Sequence, residues 1–144
     1  MPVREAEGLR FVRLFDFDII PDYLIDQIKG RTWDKEKLYK LGGFVASNPF
    51  TFVYALSDHE HKIKGFVWAM ANLIDDCLYI NACSIDKEYQ KKRIIQTKVV
   101  PFLHRIRQEL QLSKARALTT RPKAFEKMLE GVKRSKETII EWGG

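Results

Sequence analysis

At 144 residues, with 45% hydrophobic and 12% aromatic side chains, the chain has the size of one domain with its own core, which argues for a folded globular protein rather than a disordered one and against a two-domain arrangement. No apolar run approaches the roughly 20 residues that cross a bilayer, and Arg4, Glu5 and Glu7 stand where a signal peptide needs an apolar stretch, so no membrane contact and a soluble, cytoplasmic protein are expected. The net charge of +6 gathers late, at Lys91 to Arg93, His104 to Arg107, Lys114 to Arg121 and Lys133 to Lys136, and predicts an anionic partner, either a phosphorylated cofactor or nucleic acid.

Residues 9–19 place Leu9, Phe11, Phe15, Phe17 and Ile19 against Arg10, Asp16 and Asp18, with Val12, Arg13 and Leu14 breaking the period, and predict a first strand. Pro21 suits the first turn of a helix whose apolar face is Leu24, Ile25 and Ile28, and Gly30 is placed to end it. Thr32 is placed to cap a second short helix that buries Leu38, Tyr39 and Leu41 before Gly42 and Gly43 interrupt the pattern. Residues 50–56 and 64–71, rich in aromatic and β-branched side chains, flank the polar turn 57–61 and read as a hairpin. His59 and His61 in that turn neighbour Asp58 and Glu60, but their spacing matches no ligand set, so no metal is expected. After a second polar break, residues 77–85 complete a meander with Leu78, Ile80 and Ala82 on one face. Cys77 and Cys83 then point to the same face, too far apart to bridge, and Cys83 reads as a small buried residue rather than a nucleophile.

From residue 94 to 112 the period becomes helical through Ile95, Val99, Phe102, Leu103, Ile106 and Leu110, and Pro101 kinks or divides the helix so that its regular part begins near Val100. Residues 115–119 predict a short strand, Pro122 opens a helix closed by Gly131, and residues 138–142 predict a last strand whose edge offers pairing across a homodimer. The order β-α-α-β-β-β-α-β-α-β describes a single α/β (α+β) domain over residues 1–144, one mixed sheet with helices on both faces. The crossover from 77–85 to 115–119 is long enough to join parallel strands.

The junction Ile85-Asp86-Lys87-Glu88-Tyr89-Gln90-Lys91-Lys92-Arg93-Ile94-Ile95 feeds a strand through a short basic loop into a helix N-terminus. The first N–H groups of a helix lack intrahelical partners and lie at the positive end of its dipole, an anion-binding geometry. With the element order, Ile85 to Gln90 resembles the GNAT superfamily, enzymes that move an acetyl or other acyl group from coenzyme A to an amine. There an aliphatic strand end and an Asp-Pro-Glu-Tyr-like turn precede Gln/Arg-x-x-Gly-x-Gly/Ala; here Arg93, Ile94 and Ile95 stand where that pattern has Gly-x-Gly/Ala.

The resemblance implies acetyl-CoA or another acyl-CoA as cofactor, its pyrophosphate at Gln90, Lys91, Lys92, Arg93, Ile94 and Ile95, and its pantetheine along the backbone of Cys83, Ser84 and Ile85. A glycine lets phosphate oxygens approach the backbone closely, so Arg93 and Ile95 are expected to obstruct that approach, with the guanidinium either holding the pyrophosphate or taking its place. Where family members carry a tyrosine as general acid, the matching positions are Glu126 and Lys127. The carboxylates near the strand are Asp75, Asp76 and Asp86, while Asn81 holds a mid-strand place where a base would be useful but takes no proton. Trp33, Tyr39 and Phe44 fit a wall on the acceptor side, and core packing accounts for them equally.

Two functions stay open. One is an N-acyltransferase acting on an amine of a small molecule or protein. The other is a basic GNAT-fold binding module, with a nucleic-acid or protein partner, that no longer accepts coenzyme A.

Overall fold

The structure, a computed structural model, describes residues 8–28 and 33–117. Their alternating segments pair into a five-stranded sheet in the order β1-β2-β3-β4-β5, formed by β1 (Arg10–Leu14), β2 (Thr51–Ser57), β3 (Ile63–Asn72), β4 (Cys77–Ile85) and β5 (Lys114–Ala117). The first four strands are antiparallel, and β5 lies parallel to β4 from Cys77↔Lys114 to Ile80↔Ala117. The mixed sheet is the one that the residue pattern predicts. The expected helix after Pro122, its Glu126 and Lys127, and the strand 138–142 lie outside the described residues.

Helices cover both faces. Helix α1 (Asp22–Asp26) and helix α2 (Lys35–Ala46) pack on one, where Leu24, Ile25, Leu38 and Ala46 meet Leu14, Phe17, Val53, Ala55, Phe66 and Ala82. On the other, a short helix α3 (Lys87–Gln90) leads to a π-helical turn (Ile95–Val99) and helix α4 (Val100–Glu109). Ile94 and Val99 there close on Leu9, Leu56, Val67 and Ile85, while Ile106 and Leu112 close on Ala69 and Leu78. Phe11 stacks on Phe102 with ring centroids 3.8 Å apart. Among the described residues no helix is long and apolar enough to cross a membrane.

Several local expectations need correction. The first strand ends at Leu14 rather than running to Ile19. Asp16 Oδ1 accepts the Phe17 N–H at 2.7 Å, bending the chain so that Phe17 is buried with α1 and α2 while Phe15 and Ile19 are exposed. Asp34 caps α2 by accepting the Lys37 N–H at 3.0 Å, while Gly30 and Thr32, expected to end one helix and cap the next, lie outside the described residues. The helix also runs on through Gly42 and Gly43 to Ala46, and Leu41, expected inside, is exposed. A Cβ on Gly42 would lie 2.7 Å from Phe17 Cδ2, so the bare backbone there is what lets α2 approach the bend after β1.

The proline expectation meets its physical cause. Pro101 has no N–H to offer the Thr97 carbonyl, the turn before it is wound as π-helix, and regular α-helix starts at Val100.

The largest correction concerns β4. Trp68 pairs with Ala82 but Ala69 pairs with Ile80, so Asn81 is an extra residue without a partner, a β-bulge. Alternation therefore resets at Asn81. Leu78 and Ile80 face α4, whereas Ala82 lies in the cluster under α1 and α2, and Cys83 returns to the α4 side. Cys77 and Cys83 consequently face opposite sides of the sheet, and both are free thiols.

Gly65, opposite Ile85, sits close against β4: a Cβ there would lie 2.7 Å from Ile85 Cδ1 and 2.9 Å from the Ser84 carbonyl oxygen. Because one of these atoms is backbone, Gly65→Ala should destabilise the protein by about 1–3 kcal/mol. Urea unfolding checks this, and an unchanged midpoint would contradict the close approach.

Candidate functional site

The end of β4 is where strand, loop and helix N-terminus converge. The Asp86 N–H donates to the Lys64 carbonyl at 2.7 Å, which fixes the phase of the antiparallel ladder. Ser84, like Asp86, turns its backbone groups towards β3, and Cys83 and Ile85 turn theirs to the opposite edge. On that edge the described pairing with β5 stops at Ile80↔Ala117. The three residues expected to line a ligand thus divide by geometry: Cys83 and Ile85 at the edge, Ser84 inside the sheet.

Ser84 serves another purpose. Its hydroxyl donates to the Leu24 carbonyl at 2.6 Å and accepts from Gln27 Nε2 at 2.9 Å, tying α1 to the strand. The Ile85 carbonyl accepts two side-chain amides, Gln27 Nε2 at 2.9 Å and Gln90 Nε2 at 3.0 Å. Gln27 sits one helical turn after Tyr23 on α1, and nothing in the sequence marks either residue, because only the packing of α1 against β4 gives them partners.

Asp86 is occupied structurally. One carboxylate oxygen caps α3 by accepting the Glu88 N–H at 3.0 Å, and the other accepts the Tyr23 hydroxyl. The Tyr23 hydrogen bond, with that of Glu88 and nearby Lys64, holds the carboxyl below its ordinary range. Burial and the same hydrogen bond raise the Tyr23 hydroxyl, so it stays protonated. A carboxylate so stabilised is a weak base.

Beyond α3, Lys91, Lys92 and Arg93 are exposed, with the Lys92 ammonium 5.2 Å from the Tyr89 ring centroid. Arg93 has a φ of 57°, the left-handed conformation that glycine adopts freely and other residues rarely. Its carbonyl accepts both the N–H (3.0 Å) and the hydroxyl (2.8 Å) of Thr97. The N–H groups of Ile94, Ile95 and Gln96 precede that bond and have no backbone acceptor among the described residues. Ile94 is buried, and Ile95, expected to crowd this corner, packs onto the cluster of Leu9, Leu56, Val67 and Ile85.

The remaining candidates do not converge. Asn81 is the bulge residue. Burial pushes the Cys83 thiol up to about 12, far from a reactive thiolate. Asp75 and Asp76 belong to the opposite end of β4, where Asp76 accepts from Ser113 and Asp75 lies 3.9 Å from Arg116.

Trp33 packs edge-on to Trp68 at 5.7 Å, the Tyr39 hydroxyl donates to the Ile20 carbonyl at 2.9 Å, both residues pack on the cluster under α1 and α2, and Phe44 is 83% exposed. Asp58 Oδ1 accepts the N–H groups of Glu60 and Lys62, which makes the His59–His61 turn a carboxylate-braced hairpin tip. Among the described residues no group of three His, Cys, Asp or Glu side chains could hold a metal.

Comparison with solved structures places this architecture. An aminoglycoside 6'-N-acetyltransferase from Acinetobacter baumannii superposes with a TM-score of 0.69 at 7% identity, covering 95% of this chain and 99% of that one. A second, AAC(6')-Iy in complex with a bisubstrate analogue of coenzyme A, gives 0.68 at 8% identity, covering 94% and 98%. Glucosamine-6-phosphate N-acetyltransferase from Arabidopsis thaliana gives 0.62 at 15% identity, covering 93% and 97%. No family model and no curated protein sequence matches the chain. The protein has the GNAT acetyltransferase fold.

Two stability measurements probe the loop. Arg93→Gly should raise stability by about 1 kcal/mol, since it removes the left-handed strain of a residue with a Cβ; a fall in the urea midpoint would contradict that strain. Tyr23→Phe should cost about 0.5–1.5 kcal/mol at neutral pH. Because the folded Asp86 carboxyl lies below its unfolded value of roughly 3.9, its contribution is fully present above that pH and is lost as pH falls through the folded value. The gap between Tyr23→Phe and wild type should therefore close on acidification, and a constant gap in urea titrations from pH 6 to pH 2 would exclude the coupling.

Proposed function

We propose that the protein is an acyl-CoA-dependent N-acyltransferase, with acetyl-CoA or another acyl-CoA as donor and an amine as acceptor. The observation that carries this reading is Arg93 at a φ of 57°. The loop keeps the backbone course that a glycine would take, with the N–H groups of Ile94, Ile95 and Gln96 at the start of the helix, although the residue itself has changed. In this reading those N–H groups and the side chains of Lys91, Lys92 and Arg93 hold the pyrophosphate. The edge of β4 at Cys83 and Ile85 takes the pantetheine.

The acyl carbon then lies beside β4 for direct attack by the amine lone pair. The carbon–nitrogen bond forms, the carbon–sulfur bond breaks, and coenzyme A leaves as thiolate. Asp86 caps α3 and Asn81 accepts no proton, so rate enhancement rests on positioning and on backbone N–H stabilisation of the oxyanion. The amine loses its proton to water.

A second reading rests on a specific contact. The Ile85 carbonyl is occupied by Gln27 and Gln90 and Arg93 adds a side chain at the loop, features that suit a binding module without chemistry. Calorimetry with acetyl-CoA and free coenzyme A, followed by thiol release in the presence of polyamines, amino sugars and peptides, separates the two. The acyltransferase reading expects micromolar to submillimolar binding, weakened about tenfold by Arg93→Ala through loss of a charge-assisted bond. No binding at millimolar ligand would leave the module.

A further inference from the structure

The acceptor capacity of Ile85 is the most restrictive feature of the strand edge. A carbonyl oxygen has two lone pairs, and both here face side-chain amides, Gln27 Nε2 at 2.9 Å and Gln90 Nε2 at 3.0 Å. A ligand amide running along β4 as an added strand must offer its N–H to this same oxygen, because Ile85 turns its backbone groups to the open edge. One glutamine must leave.

The two are not equivalent. Gln27 is half-buried and bonds Ser84 Oγ as well as Ile85, while Ser84 is itself anchored to the Leu24 carbonyl. Gln90 is exposed, and its amide makes the single contact to Ile85. Releasing Gln90 breaks one bond at the surface, whereas releasing Gln27 breaks two within the contact between α1 and β4.

We infer that Gln90 occupies the place of a ligand amide on the Ile85 carbonyl and is displaced when an acyl-CoA pantetheine binds, while Gln27 is a positioning residue that keeps the carbonyl aimed at the edge. This rests on the acyl-CoA reading. It assigns Gln90 to the pantetheine end of the site rather than to the pyrophosphate, and it makes cofactor binding a competition with an internal side chain.

The two glutamines should respond with opposite signs. In calorimetric titrations with coenzyme A, Gln90→Ala should bind about fivefold more tightly than wild type, the factor that one net hydrogen bond is worth, and Gln27→Ala should bind more weakly. A contact that merely supports the fold would weaken binding in both variants. Thermal unfolding of each variant accompanies the titrations. If Gln27→Ala does not fold, Gln90→Ala decides the matter alone, since its side chain is exposed.

Wild-type binding with Gln90→Ala equal or weaker overturns the inference and leaves the acyl-CoA reading standing. Binding by Gln90→Ala alone supports both. Failure of wild type and Gln90→Ala alike to bind at millimolar coenzyme A overturns both.

Discussion

One unpaired residue in β4 decides which side chains meet. With Asn81 set outside the ladder, the strand shifts phase halfway along, so that Leu78 and Ile80 pack under α4 while Ala82 and Ser84 turn to α1 and α2. Without this shift Ser84 would face α4, and its hydroxyl would lose both the Leu24 carbonyl and Gln27. The contact between α1 and the end of β4 depends on those bonds. The bulge therefore connects the core on one side of the sheet to the loop on the other.

From that contact the loop is built outwards. Tyr23 on α1 holds Asp86, Asp86 caps α3, and α3 delivers the chain to Arg93. Arg93 turns it into the left-handed conformation from which the helix starts, and Thr97 fastens the turn through two bonds to the Arg93 carbonyl. Below the loop, Ile94 and Ile95 pack with Val99 against Val67 and Ile85. The backbone strain at Arg93 is of the order of 1–2 kcal/mol, and burial of Ile94 and Val99 at roughly 1.5–3 kcal/mol each exceeds it. The loop thus keeps a glycine-like path without a glycine.

The same corner shows how a fold and its chemistry separate. The superposed acetyltransferases share the architecture at 7–15% identity, so what persists is the path of the backbone rather than the side chains. Backbone groups at the β4 edge and the helix N-terminus can be presented by any residue type. Acid–base groups cannot, and the carboxylate nearest the strand end, Asp86, is engaged in capping.

How much was legible in the sequence follows from the range of each interaction. Short-range signals sufficed for the hairpin of β2 and β3, the crossover through a helix whose regular part starts at Val100, next to Pro101, and the basic loop at a helix N-terminus, because periodicity and proline chemistry act within a few residues. They misjudged the first strand, ended by the Asp16 turn, and the second helix, which runs on through Gly42, where Phe17 fills the place a Cβ would take. The bulge at Asn81 left no trace in the pattern, since it exists only as a mismatch between β3 and β4. Tyr23, Gln27 and Gln90 were likewise silent as a group: they are polar residues whose partners lie on other segments, and Arg93 gave its identity but not its conformation. The sequence alone determined the kind of fold and the place of the loop, through local hydrophobic and backbone preferences; tertiary packing alone decided which groups of that loop are free and which are held, because hydrogen-bond satisfaction is settled between elements and not within them.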